Sequence, residues 1–593
     1  SEATIEDISR ERLAWDNAHK AIEPAIALCD IILGSRINNE EFPSVILDNW
    51  DDHKIDLMKS EARSNAIKDL NTKDILHFPT TFPEVFLREK SGFDAIIGNP
   101  PWEEATIERH AFWARYFPGL RGMSQRLRDS KIDEYVNNYP DLQSELELKQ
   151  KENETLRKNL ISGPFPGMGK GDPDLYKAFC WRFWNLCNDE HGFIGVVVPR
   201  SVINAQGSSI FRKTILSESK SLEAVTLLNT KKWVFDIHPQ FIVVLLTIER
   251  GNKSQTKVKI KGHYESLEKF NLNIDIKVDP FHGKDILSYT EDALFPSLPS
   301  SESSSLMMKL FESPSISSIE NHCWEVYPHR ELDAALDKKL MDLTSETCPE
   351  GYWPVYKGVS FDLLNIDKDE YYAWSDPDEV LPFLQNKRLR SMRNKRSPFS
   401  KFSPEWNHDE ETLPCLKPRI AFRDVTNSLD SRSVVCALIP SNNFLSNQAP
   451  YLLFPQGNVH HITYVLGMLS SIPLDWAARR FIGLHLNFFI FNSLPIPTYN
   501  KDSKLSKRLI ELTGLLSCID NRFKEWANSL GIEVTVLDND QREQFMYELD
   551  GIAAHLYGLT EDQLIHIFKT YRLNWDYSLR LEKTLKFYQQ HTN

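Results

Sequence analysis

The chain has 593 residues, a formal net charge of −14 and 41% apolar residues, which is length for about three or four domains and apolar content for ordinary cores. There is no run of about 18 apolar residues to span a membrane and no visible signal peptide, and the acidic balance argues against a protein coated in nucleic acid, so any DNA contact would have to use local basic patches. Eight scattered cysteines with no C-x-x-C pair argue against a disulfide framework or a zinc site and fit a reducing cytoplasm.

Taken in chain order, residues 1–75 read as a charged helical segment. The chain starts with Ser1 rather than Met, as expected of a processed, tagged or excised piece. In Ala21-Ile-Glu-Pro-Ala-Ile-Ala-Leu-Cys-Asp-Ile-Ile-Leu-Gly34 an apolar helix face is expected to stop at Gly34. The stretch from His77 to Phe86 then leads into Asp94-Ala-Ile-Ile-Gly-Asn99-Pro100-Pro101-Trp102. Ile96 and Ile97 predict a buried parallel strand. Proline cannot continue it, so Asn99 and Pro100 are held extended at its carboxyl end, where open α/β sheets place ligands.

Residues 103–165 are polar and predict long helices inserted near that site. Gly163-Pro-Phe-Pro-Gly-Met-Gly-Lys-Gly171 lacks the Ser or Thr, the spacing and the preceding strand of a phosphate loop, and reads as a mobile loop. Asp172 is the expected cap of the next helix, with Pro173 at its first position. Gly192–Pro199 and Leu222–Leu228 predict strands, and a loop from Lys232 feeds a long β run from Phe241. This cadence predicts an α/β fold: a partial doubly wound, Rossmann-like sheet over 76–295. The Ser- and Pro-rich stretch Pro296–Ser305 places a linker at 296–320. A mixed α/β domain is expected over 321–500 and a helical region over 501–593, in which Gly558 ends one helix and Thr560 caps the next.

The tetrad Asn99–Trp102 carries chemistry of its own. An exocyclic amine on an aromatic base is a poor nucleophile, because its lone pair is spread into the ring. The Asn99 side-chain oxygen and the Pro100 carbonyl can each accept one of its N–H bonds, drawing the nitrogen towards tetrahedral geometry. Trp102 can stack on a base lifted out of the helix.

In this context the tetrad resembles the fourth motif of class I S-adenosylmethionine-dependent amino-methyltransferases of DNA. Most of the chain resembles the carboxyl-terminal part of large adenine-N6 methyltransferases of restriction-modification and phage-defence systems: type IIG and IIL enzymes and the DISARM and BREX methylases. Asp174-Leu-Tyr176 resembles their fifth motif, Gly192–Arg200 the sixth, and Val234-Phe235-Asp through Phe241-Ile-Val-Val the eighth. The resemblance implies methyl transfer to a flipped adenine, with Asn99, Pro100, Pro101 and Trp102 catalytic. It implies Phe235 as the second stacking aromatic, with Trp233 and Phe241 as the other candidates, and Asn99, Asp174 and Tyr176 toward the cofactor. Lys417–Val425 and Leu484–Pro497 resemble the target-recognition region, which reads base edges and clamps phosphates. One element of the family pattern is missing. Its glycine-rich first motif, upstream of the tetrad, has no counterpart, since Gly34 is the single glycine before residue 91. A partner polypeptide, or an amino-terminal half outside this chain, is expected to supply it. The remaining alternative is a degenerate homologue that binds DNA without methylating it.

Double-stranded DNA is the expected partner. Lys387, Arg388, Arg390, Arg393, Lys395, Arg396 and Lys401 form a basic run without an acid, a footprint for a phosphate backbone. Arg419 and Arg423, with Arg432, Arg479 and Arg480, are further candidates through the planar guanidinium. No metal is expected. Asp376-Pro-Asp-Glu and Asp409-Glu-Glu do not make a nuclease arrangement, and cytosine-N4 transfer is chemically open at the same tetrad. The rival class is a DNA-recognition or scaffold subunit of a defence complex with a vestigial pocket.

Overall fold

A computed structural model describes residues 4–38, 50–70, 75–251, 255–278, 280–298, 303–368, 370–427, 430–571 and 576–592. It forms two compact units, Ser1–Lys284 and Asp285–Asn593.

The first unit is built on one sheet of β1 (Ala95–Gly98), β2 (Phe193–Pro199), β3 (Ser219–Leu228), β4 (Ile242–Arg250), β5 (Lys257–Tyr264) and β6 (Phe281–His282). The strand order is β1-β2-β4-β3-β5-β6. β1 pairs with β2 in parallel and β3 with β5 in parallel, while β4 runs antiparallel between β2 and β3. The sheet is mixed because residues 229–241 join β3 to β4 as a hairpin rather than a crossover helix. β1, β2 and β3 still run the same way, so their carboxyl ends share one edge of the sheet. Asn99, Arg200 and Asn229 each follow one of those ends.

β1 is not the buried strand that its sequence predicts. One face of β2, with Ile194, Val196 and Val198, is fully packed under the helix Leu175–Leu186, which comes so close that a Cβ on Gly98 would lie 3.3 Å from Phe183. The other face carries Ala95, Ile97 and Phe193, and there Ile97 is 89% exposed and Phe193 48% exposed. Among the described residues nothing pairs with the outer edge of β1. The apolar run is the same in either setting; what differs is whether a neighbour covers it.

The approach to β1 is fixed by aromatic packing. Phe78, Phe82 and Phe86, one helical turn apart, all turn onto Phe93, with ring centroids at 6.0, 5.5 and 5.3 Å. The His77 ring meets Asp30 of the first helix at 2.8 Å. That helix, Ile5–Asn38, runs through Gly34 rather than ending there. The missing side chain serves close packing instead, since a Cβ at Gly34 would meet the Ala66 Cβ at 3.0 Å. Residues 39–49 and 71–74 of the expected helical segment lie outside the described residues.

The polar segment after the tetrad forms Arg109–Tyr116, Gln125–Asn138 and Pro140–Ser162, around fully buried Trp113 and a Phe117–Tyr135 stack at 4.0 Å. The next helix starts later than expected, at Leu175, so Asp174 and not Asp172 holds the cap position.

In the second unit, β7 (Tyr327–His329), β10 (Arg419–Phe422), β11 (Cys436–Ile439) and β13 (Tyr451–Leu453) form a sheet in the order β11-β10-β13-β7. β8 (Trp353–Tyr356), β9 (Tyr371–Ser375) and β12 (Phe444–Leu445) form a second, in the order β12-β8-β9. Every residue of β10, β11 and β13 is buried. The helices after residue 500 pack on this body: Trp526 donates to Thr463 at 3.1 Å, and Asp550 accepts from the Ile472 amide at 2.8 Å. Gly558, at φ +64°, follows the helix Asn539–Leu556. Thr560 then caps Glu561–Tyr571, accepting from the Gln563 amide at 3.2 Å. Of the expected linker, Ser303–Leu310 is instead a helix that buries Leu306, Met307 and Leu310, and 299–302 lie outside the described residues.

Candidate active site

Asn99 leaves the end of β1 exposed, while Pro100 behind it is buried. No hydrogen bond holds the Asn99 side chain among the described residues, so its amide oxygen is available to an incoming donor. The chain after the tetrad is tied down by the Leu175 amide, which donates to the Glu103 carbonyl at 3.0 Å. Trp102 is set by its indole N–H, which donates to the Val197 carbonyl of β2 at 3.3 Å. Its ring packs over a cluster of Val225, Leu227, Val243 and Tyr264.

Phe235 reaches the same cluster from the β3–β4 hairpin. Its ring lies 5.9 Å from that of Trp102, at an interplanar angle of 88°. Of the three candidate aromatics, Phe235 is the one set against Trp102. The Trp233 indole is committed to the Leu228 carbonyl at 2.6 Å, and Phe241 is half exposed.

The residues expected to face the cofactor are differently engaged. The Asp174 carboxylate pairs with Lys177 at 2.8 Å. The Tyr176 hydroxyl is buried and donates to Ser201 Oγ at 2.7 Å, and burial pushes its pKa well above the usual tyrosine range. Neither presents a free group, and among the described residues the chain that follows β1 carries no glycine before Gly119. Asp174 and Tyr176, as engaged here, therefore do not by themselves form a site for S-adenosylmethionine. Among the described residues no three His, Cys, Asp or Glu side chains converge as a metal site.

The basic candidates divide in two. Arg388 is 1% exposed and bonds inward to Gln385, Thr412 (2.8 Å) and the Asp409 carbonyl (2.7 Å). Arg419 is 5% exposed and pairs with buried Glu331 at 2.9 Å; burial raises the Glu331 carboxyl against the pull of that guanidinium. Arg423 donates to the carbonyls of Gly358 (2.8 Å) and Phe361 (2.9 Å). Arg432, Arg479 and Arg480 are buried as well, with Arg479 bonded to Asp475 at 2.6 Å. Lys387 donates to the Glu331 carbonyl at 2.6 Å. Arg390, Arg393, Lys395 and Arg396 are exposed, and no carboxylate pairs with them among the described residues. Apart from Lys387, the inward residues are arginines whose fork matches carbonyls and carboxylates inside the fold, a use that a charge run does not distinguish from a DNA contact.

Sequence reasoning also passed over Asn229. It is fully buried and organises the hairpin that carries Phe235. Its only signal is a polar residue closing an apolar strand, Leu227-Leu228-Asn229.

Residues 21–136, which contain the tetrad, match the family model described as Eco57I restriction-modification methylase. No curated protein matches the chain. Among solved structures, the type IIL restriction-modification enzyme MmeI in complex with DNA is 12% identical, with TM-score 0.38 over 90% of this chain and 64% of that one. A nuclease-deletion mutant of the type ISP enzyme LlaGI with a DNA substrate mimic is 10% identical, with TM-score 0.35 over 78% of this chain and 46% of that one. The type IIG restriction endonuclease BpuSI is 14% identical, with TM-score 0.25 over 69% of this chain and 52% of that one. The chain spans 64% or less of the length of each. In the segment that bears Asn99–Trp102, the chain is similar to the restriction-modification methylases.

Proposed function

We propose that this chain is the base-holding and DNA-reading part of an adenine-N6 DNA methyltransferase that uses S-adenosylmethionine, acting in a restriction-modification or anti-phage system. The observation that carries the reading is the meeting of Phe235 with Trp102 beside an unbonded, exposed Asn99 at a strand's carboxyl end. Two distant segments of sequence thus supply an amine acceptor and two aromatic walls at one place. Asn99 Oδ1 and the Pro100 carbonyl accept the two N–H bonds of the target amine, while Trp102 and Phe235 hold the ring. The chain's contribution is then positioning and polarisation.

The glycine-rich half that would cradle the cofactor is proposed to lie on polypeptide outside these 593 residues. The bare edge of β1 and the exposed Ile97 and Phe193 support this, because a strand and a helix added there would bury them. The rival reading, a DNA-recognition or scaffold subunit with a vestigial pocket, is favoured by one observation. The Trp102 and Phe235 rings meet edge to face, and a base would have to part them.

Calorimetry with S-adenosylmethionine separates these readings, on this chain alone and on this chain with the polypeptide encoded beside it or continuous with it. Binding by the combination, with methylation strongly slowed in Asn99→Ala and cofactor affinity retained, is the expected result. A combination that binds DNA in a salt-sensitive way but no cofactor would establish the scaffold reading instead.

A further inference from the structure

We infer that Asn229 is the residue that positions Phe235 at the base-binding site, an assignment that rests on the reading of Phe235 as a wall of that site. The β3–β4 hairpin has an awkward course. Lys231 and Lys232 sit in succession at φ +56° and +59°, a region that long side chains rarely adopt. Such a path persists when its surroundings over-determine it.

Asn229 supplies that determination. From its buried place at the end of β3, its Oδ1 accepts from the amides of Val234 and Phe235, both at 3.1 Å. Its Nδ2 donates to the Phe235 carbonyl at 2.9 Å and to the Ile237 carbonyl at 3.5 Å. The side-chain amide thus turns both its acceptor and its donor on the segment centred on Phe235, with the Ile237 contact the longest, and holds Phe235 by its amide and its carbonyl together. Few side chains can do this. Aspartate has no donor, serine is too short for four bonds, and leucine has neither group.

The other ties of the hairpin lie to the sides. Trp233 bonds back to Leu228, Lys232 pairs with Asp236 at 2.6 Å, and Thr230 bonds to the Glu265 carbonyl at 2.8 Å. None of them touches the backbone of Phe235. Loss of the Asn229 amide therefore frees the backbone of Phe235 and leaves its ring to side-chain packing alone, while β3 and β4 remain paired.

The test is a double-mutant cycle on methylation in the cofactor-competent enzyme, combined with amide exchange over residues 229–241. Asn229→Ala is expected to lower the rate of methyl transfer about 10- to 100-fold, with DNA and cofactor affinity unchanged. In a Phe235→Ala background the same change is expected to have almost no further effect. The amides of Val234 and Phe235 should exchange faster in Asn229→Ala, and those of β3 and β4 should not. Asn229→Asp, which keeps the acceptor and loses the donor, gives an intermediate loss and serves if the alanine variant does not fold. Additive effects of Asn229→Ala and Phe235→Ala, or unchanged exchange at both amides, would overturn the assignment. If the wild-type enzyme transfers no methyl group, the functional reading has failed, and the exchange result alone decides whether Asn229 holds the hairpin.

Discussion

Two short apolar strands of this chain make an instructive pair. Ala95-Ile-Ile-Gly98 and Arg419-Ile-Ala-Phe422 read alike as sequence, four residues each and mostly apolar. In the structure they have opposite fates. β10 sits between β11 and β13 with all four residues buried, and Phe422 stacks on Phe491 at 4.6 Å. β1 is an edge strand with Ile97 almost wholly in solvent. The tetrad, moreover, is attached to the exposed strand. Burial marks where the fold is stabilised, while the bare strand is where the proposed cofactor half would pack.

Substitutions in the two strands and their surroundings should differ sharply in effect. Phe422→Ala is expected to cost about 3–5 kcal/mol of stability, as a buried aromatic does, whereas Ile97→Ala should stay within about 0.5 kcal/mol. Paired thermal melts of the two variants give the answer, and equal losses would mean that β1 is covered after all. Arg419→Met leaves Glu331 buried without its partner and should cost about 3–5 kcal/mol. If Arg419 were instead a DNA contact, its loss would show in affinity and not in the melt. Asn99→Ala, on the exposed strand, is expected to leave the melt unchanged and to slow methyl transfer by about 100- to 1,000-fold, the cost of losing one preorganised polar contact.

Smaller effects follow from single charges. His329, in β7 beside Phe399 and Tyr451, has its pKa lowered from 6.5 to about 4, first by burial and then by Lys387. A depressed pKa means that the unfolded chain takes up a proton which the folded chain refuses. The stability owed to a neutral His329 is therefore complete above pH 6.5 and is lost as pH falls towards 4, amounting to at most about 3 kcal/mol. His329→Phe should flatten the stability curve over that window, and an unchanged slope would count against the assignment. Replacing Arg393 and Arg396 together with alanine should leave stability unaltered. It should weaken DNA binding and lower the salt slope by about 0.9 for each phosphate contact removed.

The same pair of strands shows what was legible in the sequence. Strand ends are written locally, so Pro100 and Pro101 announced the end of β1, and Gly558 and Thr560 announced a helix stop and start. The chemistry proposed for the tetrad could be read because it lies in consecutive residues. Exposure is decided by partners far away in the chain, and for that reason the bareness of Ile97 could not be read. Arg388, Arg419 and Arg423 were legible as cations but not as inward-facing ones, because their carbonyl and carboxylate partners are remote in sequence. Asn229 was missed because a single asparagine at a strand end looks like an ordinary turn residue. Its role appears only when the hairpin folds back over it.

The central claim is that Asn99 orients an amine of DNA for methyl transfer. It is tested most directly by expressing this chain together with its genomic neighbours in a host that does not methylate its own DNA, and reading modified bases by single-molecule sequencing. N6-methyladenine is expected at one recurrent motif with the wild-type chain, and little or none of it with the slowed Asn99→Ala variant. The same modification in both strains, or none in either, would contradict it.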